Sequence, residues 1–112
     1  MAKARYITVV ATNCADIKDE ARFNEWYNNN HVPILMKYKE NVKTTRYKVN
    51  GEAPNGGCYL AIYEFDSAEA REAQHSSPAF QEAMAEMQQS WPNGGVEIKW
   101  MGNYDPIKAW ER

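Results

Sequence analysis

The stretch Phe23-Asn-Glu-Trp-Tyr-Asn-Asn-Asn-His-Val-Pro33 decides how this chain is read. Placed on a helix, Phe23, Trp26, Tyr27, Asn30, His31 and Ile34 share one face, at the spacing of an amphipathic stripe. A face that only filled a core would be aliphatic. This one carries large aromatics and ends in an amide and an imidazole. Pro33 has no N–H to give and crowds the preceding turn, so the helix is expected to stop or break there. His31 is therefore expected at a helix end, as a polar group at the mouth of an apolar pocket.

Working outward, Arg5–Thr12 is β-branched and aromatic and reads as a strand. Asn13–Asp16 is a turn with Asp16 as N-cap, and a helix follows from about Ile17 to His31. Val32–Lys39 is a Pro-interrupted extension. Val42–Val49 and Cys58–Phe65 are strands joined by the polar, Gly-rich turn Asn50–Gly57, which predicts a hairpin. Asp66–Glu69 caps a short helix that reaches about Gln74 or His75. Ser77 and Pro78 start another at N-cap and N1, running to about Ser90. Trp91–Gly95 ends it, Val96–Tyr104 is a fourth strand, and Asp105–Arg112 is a tail bearing Ile107 and Trp110. The order βαββαβ, with its second helix in two pieces, predicts an α+β, ferredoxin-like fold. Residues 1–112 are expected to form one domain, a four-stranded antiparallel sheet with helices on one face.

Helices on one side leave the other face of the sheet open. In the third strand Tyr59, Ala61, Tyr63 and Phe65 oppose Cys58, Leu60, Ile62 and Glu64, so both faces are largely apolar. In the fourth, Val96, Ile98, Trp100 and Gly102 oppose Glu97, Lys99, Met101 and Asn103. A sheet with two apolar faces needs a second cover. A second copy, sheet against sheet, is the simplest one. A homodimer is expected, with Trp110 helping to clasp it.

The bulk numbers exclude several classes. The chain has 112 residues, a net charge of −2 and a pI of about 5.7, with Lys and Arg scattered among acids. That argues against nucleic acid or an anionic membrane as partner. No apolar run approaches the roughly 20 residues that span a bilayer. The chain enters its first strand almost at once, so a cytoplasmic location is expected. Cys14 and Cys58 are isolated and read as reduced, small hydrophobes. Aromatics make up 12% of the chain, which suits a pocket for flat organic molecules as well as a core.

The pattern F-x-x-W-Y-x-x-x-H-x-P (Phe23, Trp26, Tyr27, His31, Pro33) resembles that of the dimeric α/β-barrel superfamily, and within it the EthD-like branch. Arg46-Tyr47, Tyr63-Glu64-Phe65 and Ser77-Pro78-Ala79-Phe80 add to the likeness. The resemblance implies two sheets packed into a barrel across a dimer, and a pocket between each sheet and its own helices. Relatives include cofactor-free monooxygenases, polyketide cyclases, muconolactone isomerases and decarboxylases, so the family constrains fold better than function.

His31 leads the candidate site residues, as acid/base or as hydrogen-bond donor to a carbonyl or phenolate. A helix C-terminus favours its charged form and an apolar pocket its neutral form. Sequence leaves that open, along with a plain capping role. Tyr27, one turn earlier, can touch it. Arg46, among apolar and small neighbours on a strand face, calls for an anion, either a substrate group or an acid across the dimer. Trp26 and Trp100 are expected as walls. Asn30 offers an amide to an oxyanion, Tyr59 and Tyr63 offer phenols to an oxygenated ligand, and His75 a second proton-transfer group. Each also has a plain packing or solvated reading.

Metal and nucleotide signatures are missing from the sequence. His31 and His75 are the only histidines and no metal-ligand spacing occurs. No Gly-rich strand-to-helix turn and no G-x-S-x-G is present. The Asn, Trp and His set of haem-degrading relatives is incomplete. No cofactor is expected. The reading that results is a small cofactor-independent enzyme working on an oxygenated aromatic, polyketide-like or lactone substrate by His-assisted proton transfer. The alternatives are a cofactor-free monooxygenase of the same fold and a non-catalytic dimer that binds a small hydrophobic or aromatic ligand.

Overall fold

Strand β1 (Tyr6–Cys14) lies between the two strands that reach it last in sequence. In the computed structural model, which describes residues 3–53 and 56–112, the sheet order is β2-β3-β1-β4. The partners are β2 (Asn41–Lys48), β3 (Tyr59–Phe65) and β4 (Val96–Tyr104), all antiparallel. This is the ferredoxin-like sheet that the element order predicts. Residues 54 and 55, in the middle of the expected Asn50–Gly57 turn, lie outside the described residues.

Register decides what faces the helices. Thr8 sits opposite Tyr63 and Asn103, Val10 opposite Ala61 and Met101, and Thr12 opposite Tyr59 and Ile98. Cross-strand partners share a face, so these residues line the helix side. The β1–β4 register shifts between Ala11 and Thr12, where Trp100 and Ile98 are the successive partners. That β-bulge places an extra residue in β4 and inverts the alternation beyond it. Trp100 therefore pairs with Ala11 and turns away from the helices, while Met101 joins Val96 and Ile98 on the helix side. This corrects the expected face assignment of β4.

The first helical segment is longer than its proline suggests. A 3-10 turn (Ile17–Asp19) opens under Asp16, whose carboxylate accepts the Lys18 N–H at 3.0 Å. It feeds α1 (Glu20–Trp26), a π turn (Tyr27–His31) and α2 (Val32–Leu35). Residues Tyr27, His31 and Val32 all keep right-handed helical dihedrals, so the rod is continuous through Pro33. The Val32 N–H donates to the Tyr27 carbonyl, five residues back. Widening the ring this way makes room where the proline would have broken an α-helix. His31 is thus inside the rod and not at its end. The wider turn also shifts the buried stripe to Phe23, Trp26, Tyr27, His31 and Leu35, leaving Ile34 half-buried and Asn30 exposed.

Beyond β3, Ser67 caps α3 (Ala68–Ala73) and Ser77 caps α4 (Pro78–Ser90), with a 3-10 turn (Gln74–Ser76) between them. The core is aromatic. Phe23, fully buried, has ring centroids 5.6 Å from Tyr27, 5.4 Å from Tyr59 and 6.3 Å from Trp91. Buried Arg71 on α3 donates to the Tyr104 carbonyl at 3.2 Å and pairs with Asp105 at 2.7 Å, fixing the root of the tail. On the side turned from the helices lie Val9, Ala11, Leu60, Ile62 and Trp100. Ile107 and Trp110 in the tail are exposed. Among the described residues, no helix is long and apolar enough to cross a membrane.

Candidate functional site

A cavity of about 110 Å³ lies between the helix side of the sheet and the helices. The π turn supplies Tyr27 and His31, β3 supplies Tyr63, and β1 supplies Thr8 and Thr12. The 3-10 turn ahead of α4 supplies Gln74 and His75. Trp26, Leu35, Phe80, Met84, Met87 and Met101 form apolar walls, so a few polar groups converge in an otherwise oily space.

His31 is 6% exposed. Its ring stacks on Trp26, with centroids 4.8 Å apart and planes inclined 26°, and meets the Tyr27 ring edge-on at 5.1 Å. Its Nδ1 is buried and makes no hydrogen bond among the described residues. Burial drives the imidazole pKa down to about 4, and the Arg46 charge adds to that, against the opposing pull of Glu86. The contest left open by the sequence is won by desolvation, and His31 is a neutral imidazole at neutral pH. Glu86 is itself engaged, accepting the Trp26 indole N–H at 2.8 Å.

Tyr27 and Tyr63 form a coupled pair of phenols. Burial raises both pKa values, and for Tyr63, held well above its ordinary value, the neighbouring Tyr27 adds to the rise. Arg46 pulls in the opposite direction on each. Both phenols are protonated at neutral pH and can donate.

Arg46 does not line the cavity. It donates to Asn24 Oδ1 at 2.9 Å and Asn28 Oδ1 at 2.7 Å, and its guanidinium lies 4.1 Å from the Tyr27 ring centroid. The expected anionic partner is replaced by two amides and an aromatic face. Tyr59 points into the same layer, where its hydroxyl bonds Glu20 and Asn24, and it too is absent from the cavity wall. Asn30 is exposed, and the bulge turns Trp100 away. The structure thus brings together His31, Tyr27, Tyr63, Trp26 and His75, and leaves Arg46, Asn30, Tyr59 and Trp100 outside.

Gln74 was not singled out by sequence reasoning. It is 6% exposed, and its Nε2 has no hydrogen-bond partner among the described residues. Its own backbone carbonyl accepts from the Ser77 N–H at 3.0 Å and the Ser77 Oγ at 2.7 Å. The one available signal was its place at the junction of two helices, just before the Ser77-Pro78 cap.

A family profile described as a domain of unknown function (DUF4286) matches residues 6–99. The chain belongs to that family. No curated protein matches it. Among solved structures, this DUF4286 chain is similar to HapK from Hahella chejuensis, at a TM-score of 0.73 and 10% identity, over 96% of this chain and 97% of that one. It is similar to an EthD-family protein of Bacillus halodurans, at a TM-score of 0.63 and 13% identity, over 95% and 99% of the two chains. A third is a monooxygenase from the gene ActVA-Orf6 of Streptomyces coelicolor, in complex with the ligand Nanaomycin D. Its TM-score is 0.63 at 12% identity, over 98% of this chain and 94% of that one. These likenesses show the fold, that of EthD-like and dimeric α/β-barrel proteins.

Proposed function

We propose that the cavity binds a small, flat, oxygenated molecule (aromatic, polyketide-like or a lactone) and that His31 assists proton transfer on it. The observation that carries this reading is a neutral, buried imidazole with an unpartnered nitrogen, set in an aromatic and methionine-walled cavity beside two phenols. A base whose conjugate acid lies near 4 is weak. It suits a substrate that is already an acid, such as a C–H between a carbonyl and an aromatic ring, or a phenol. The proton passes to the imidazole nitrogen. The electron pair it leaves is delocalised onto a substrate oxygen, where Tyr27 or Tyr63 can donate a hydrogen bond. Return of the proton at another position completes an isomerisation or ends a cyclisation.

The protein acts as a homodimer in this reading, joined through the face that carries Val9, Ile62 and Trp100. The half-exposed Tyr47 and Tyr104 near that face support it. That the Streptomyces protein of similar fold was solved with Nanaomycin D bound supports an aromatic, oxygenated ligand. An oxygenase would share the deprotonation and differ in consuming oxygen.

The test is deuterium exchange at C1 of 2-tetralone, followed by proton NMR in D2O with an oxygen electrode alongside. The wild-type protein is expected to speed exchange without oxygen uptake, and His31→Phe to lose about 10²-fold. Equal exchange by His31→Phe would remove His31 from the reaction. Binding of 2-tetralone without exchange would leave a binding protein, and oxygen uptake would make it an oxygenase.

A further inference from the structure

We infer that Gln74 is the cavity's carbonyl anchor, a specificity-determining residue that selects ligands bearing a ketone, quinone or lactone C=O. This rests on the reading of the cavity as a ligand site and adds a chemical requirement to it. Gln74 lines the same cavity as His31, and its Nε2 is buried and unpartnered among the described residues. A buried amide N–H without an acceptor is costly, so such groups are rare unless something else supplies the acceptor.

The local backbone explains why the side chain stays free. Ser77 claims the Gln74 carbonyl with both its N–H and its hydroxyl, which pins the 3-10 turn at the start of α4. Residue 74 is therefore fixed by its main chain, and its side chain contributes nothing to the cap. No other residue that lines the cavity accepts from the Gln74 Nε2 among the described residues. The Thr8 hydroxyl donates to Asn103 Oδ1 at 2.8 Å. Tyr27 and Tyr63 are protonated and coupled to each other. His75, exposed and edge-on to Phe80 at 4.8 Å, lies at the mouth. A side-chain amide on the wall of an apolar cavity, with its N–H donors unclaimed among the described residues, is complementary to a group that only accepts, and a carbonyl oxygen on a flat apolar molecule is such a group.

With the His31 Nδ1 also buried and unpartnered among the described residues, the cavity has two anchors of different character. The imidazole deals with a proton, and the amide holds an oxygen that gains charge when that proton leaves. The favoured ligand class is a carbonyl compound with an acidic C–H or a hydroxyl elsewhere on the same flat skeleton.

The experiment compares naphthalene, 2-naphthol and 2-tetralone by calorimetry on the wild type, Gln74→Leu and Gln74→Met. The wild type is expected to bind 2-tetralone at least tenfold more tightly than naphthalene. Both variants should lose about tenfold for 2-tetralone and keep their affinity for naphthalene, since only the donor has been removed. In 15N-labelled wild type, the Gln74 side-chain amide resonance should move on adding 2-tetralone and stay put with naphthalene. Thermal melts keep the result interpretable, because replacing an unpaired buried amide with an apolar side chain should not lower Tm. Unchanged 2-tetralone affinity in both variants, or a Gln74 amide resonance that ignores it, overturns the assignment. Loss of ketone preference in the Gln74 variants, combined with no proton exchange by the wild type, would leave the anchor standing and sink the catalytic role of His31 alone.

Discussion

Trp26 and His31 stack at 4.8 Å although they are five residues apart in one continuous helical rod. In a regular α-helix five residues leave two side chains about 140° apart around the axis. The π turn removes that offset, and π turns of this kind recur at functional sites. Pro33 accounts for the turn, since it cannot donate to the carbonyl four residues back. Pro33→Ala is therefore expected to let the rod relax toward α-helix and rotate His31 off the indole. The His31 ring-proton shifts should lose their ring-current displacement, with stability changed by no more than about 1 kcal/mol. Unmoved His31 signals would mean that packing, and not the proline, holds the π turn.

The depressed pKa of His31 has a consequence for acid stability. In the folded state it is held near 4, against 6.5 for the free group, so between these values the unfolded chain binds the extra proton. Stability from this group is fully present above pH 6.5, is lost as pH falls toward 4, and levels off below. The loss is about 3 kcal/mol at most. Urea titrations at pH 7.0, 5.5 and 4.5 on wild type and His31→Phe would isolate it. Parallel pH profiles for the two proteins would contradict a buried neutral imidazole. With only two histidines in the chain, His75→Gln assigns the NMR signals.

Arg46 lies outside the cavity and reaches it through its contact with the Tyr27 ring and through its charge, which also bears on His31 and Tyr63. Arg46→Met removes two charge-assisted hydrogen bonds and the cation over the Tyr27 face, for a loss of about 2 kcal/mol. Arg46→Lys should recover little, because one ammonium cannot span both amides and stack as a plane. Full rescue by Lys in chemical denaturation would show that charge alone matters.

Gly95 packs against Trp91 so closely that a Cβ there would sit 2.1 Å from the indole Cε3. Gly95→Ala must displace a buried ring of the core, at about 1–3 kcal/mol. A melting temperature equal to wild type would mean that Trp91 can move aside freely, and its near-UV circular dichroism would then change.

Dimerisation through the outer sheet face gives one more expected outcome. Ile62→Arg puts a charge in the middle of that face, where β3 runs beside β1 and β2. Light scattering should show a dimer for wild type and a monomer for the variant. A wild-type monomer at high concentration would remove the proposal.

Strands and caps were legible because their signals are local. The β-branched runs, Asp16, Ser67 and Ser77-Pro78 each act within a few residues. The departures in which face a residue presents come from single extra residues that shift a period. The π turn rotates everything after Tyr27, which exposes Asn30 and exchanges Ile34 for Leu35. The β4 bulge inverts the faces around Trp100, with no proline there to announce it. A pattern read at fixed period steps over both insertions. Gln74 was missed because a glutamine at a helix junction looks like surface.

The central place of β1 also sets the tempo at which this fold can appear. It is made before the other three strands of this sheet, yet its partners begin only at Tyr59 and Val96. Every ladder that completes the sheet around it closes a long loop, which slows folding relative to chains with local contacts. During synthesis β1 waits with both edges unpaired until β3 emerges and with one edge unpaired until β4 does, and in that interval the nascent chain is most exposed to chaperones and to self-association.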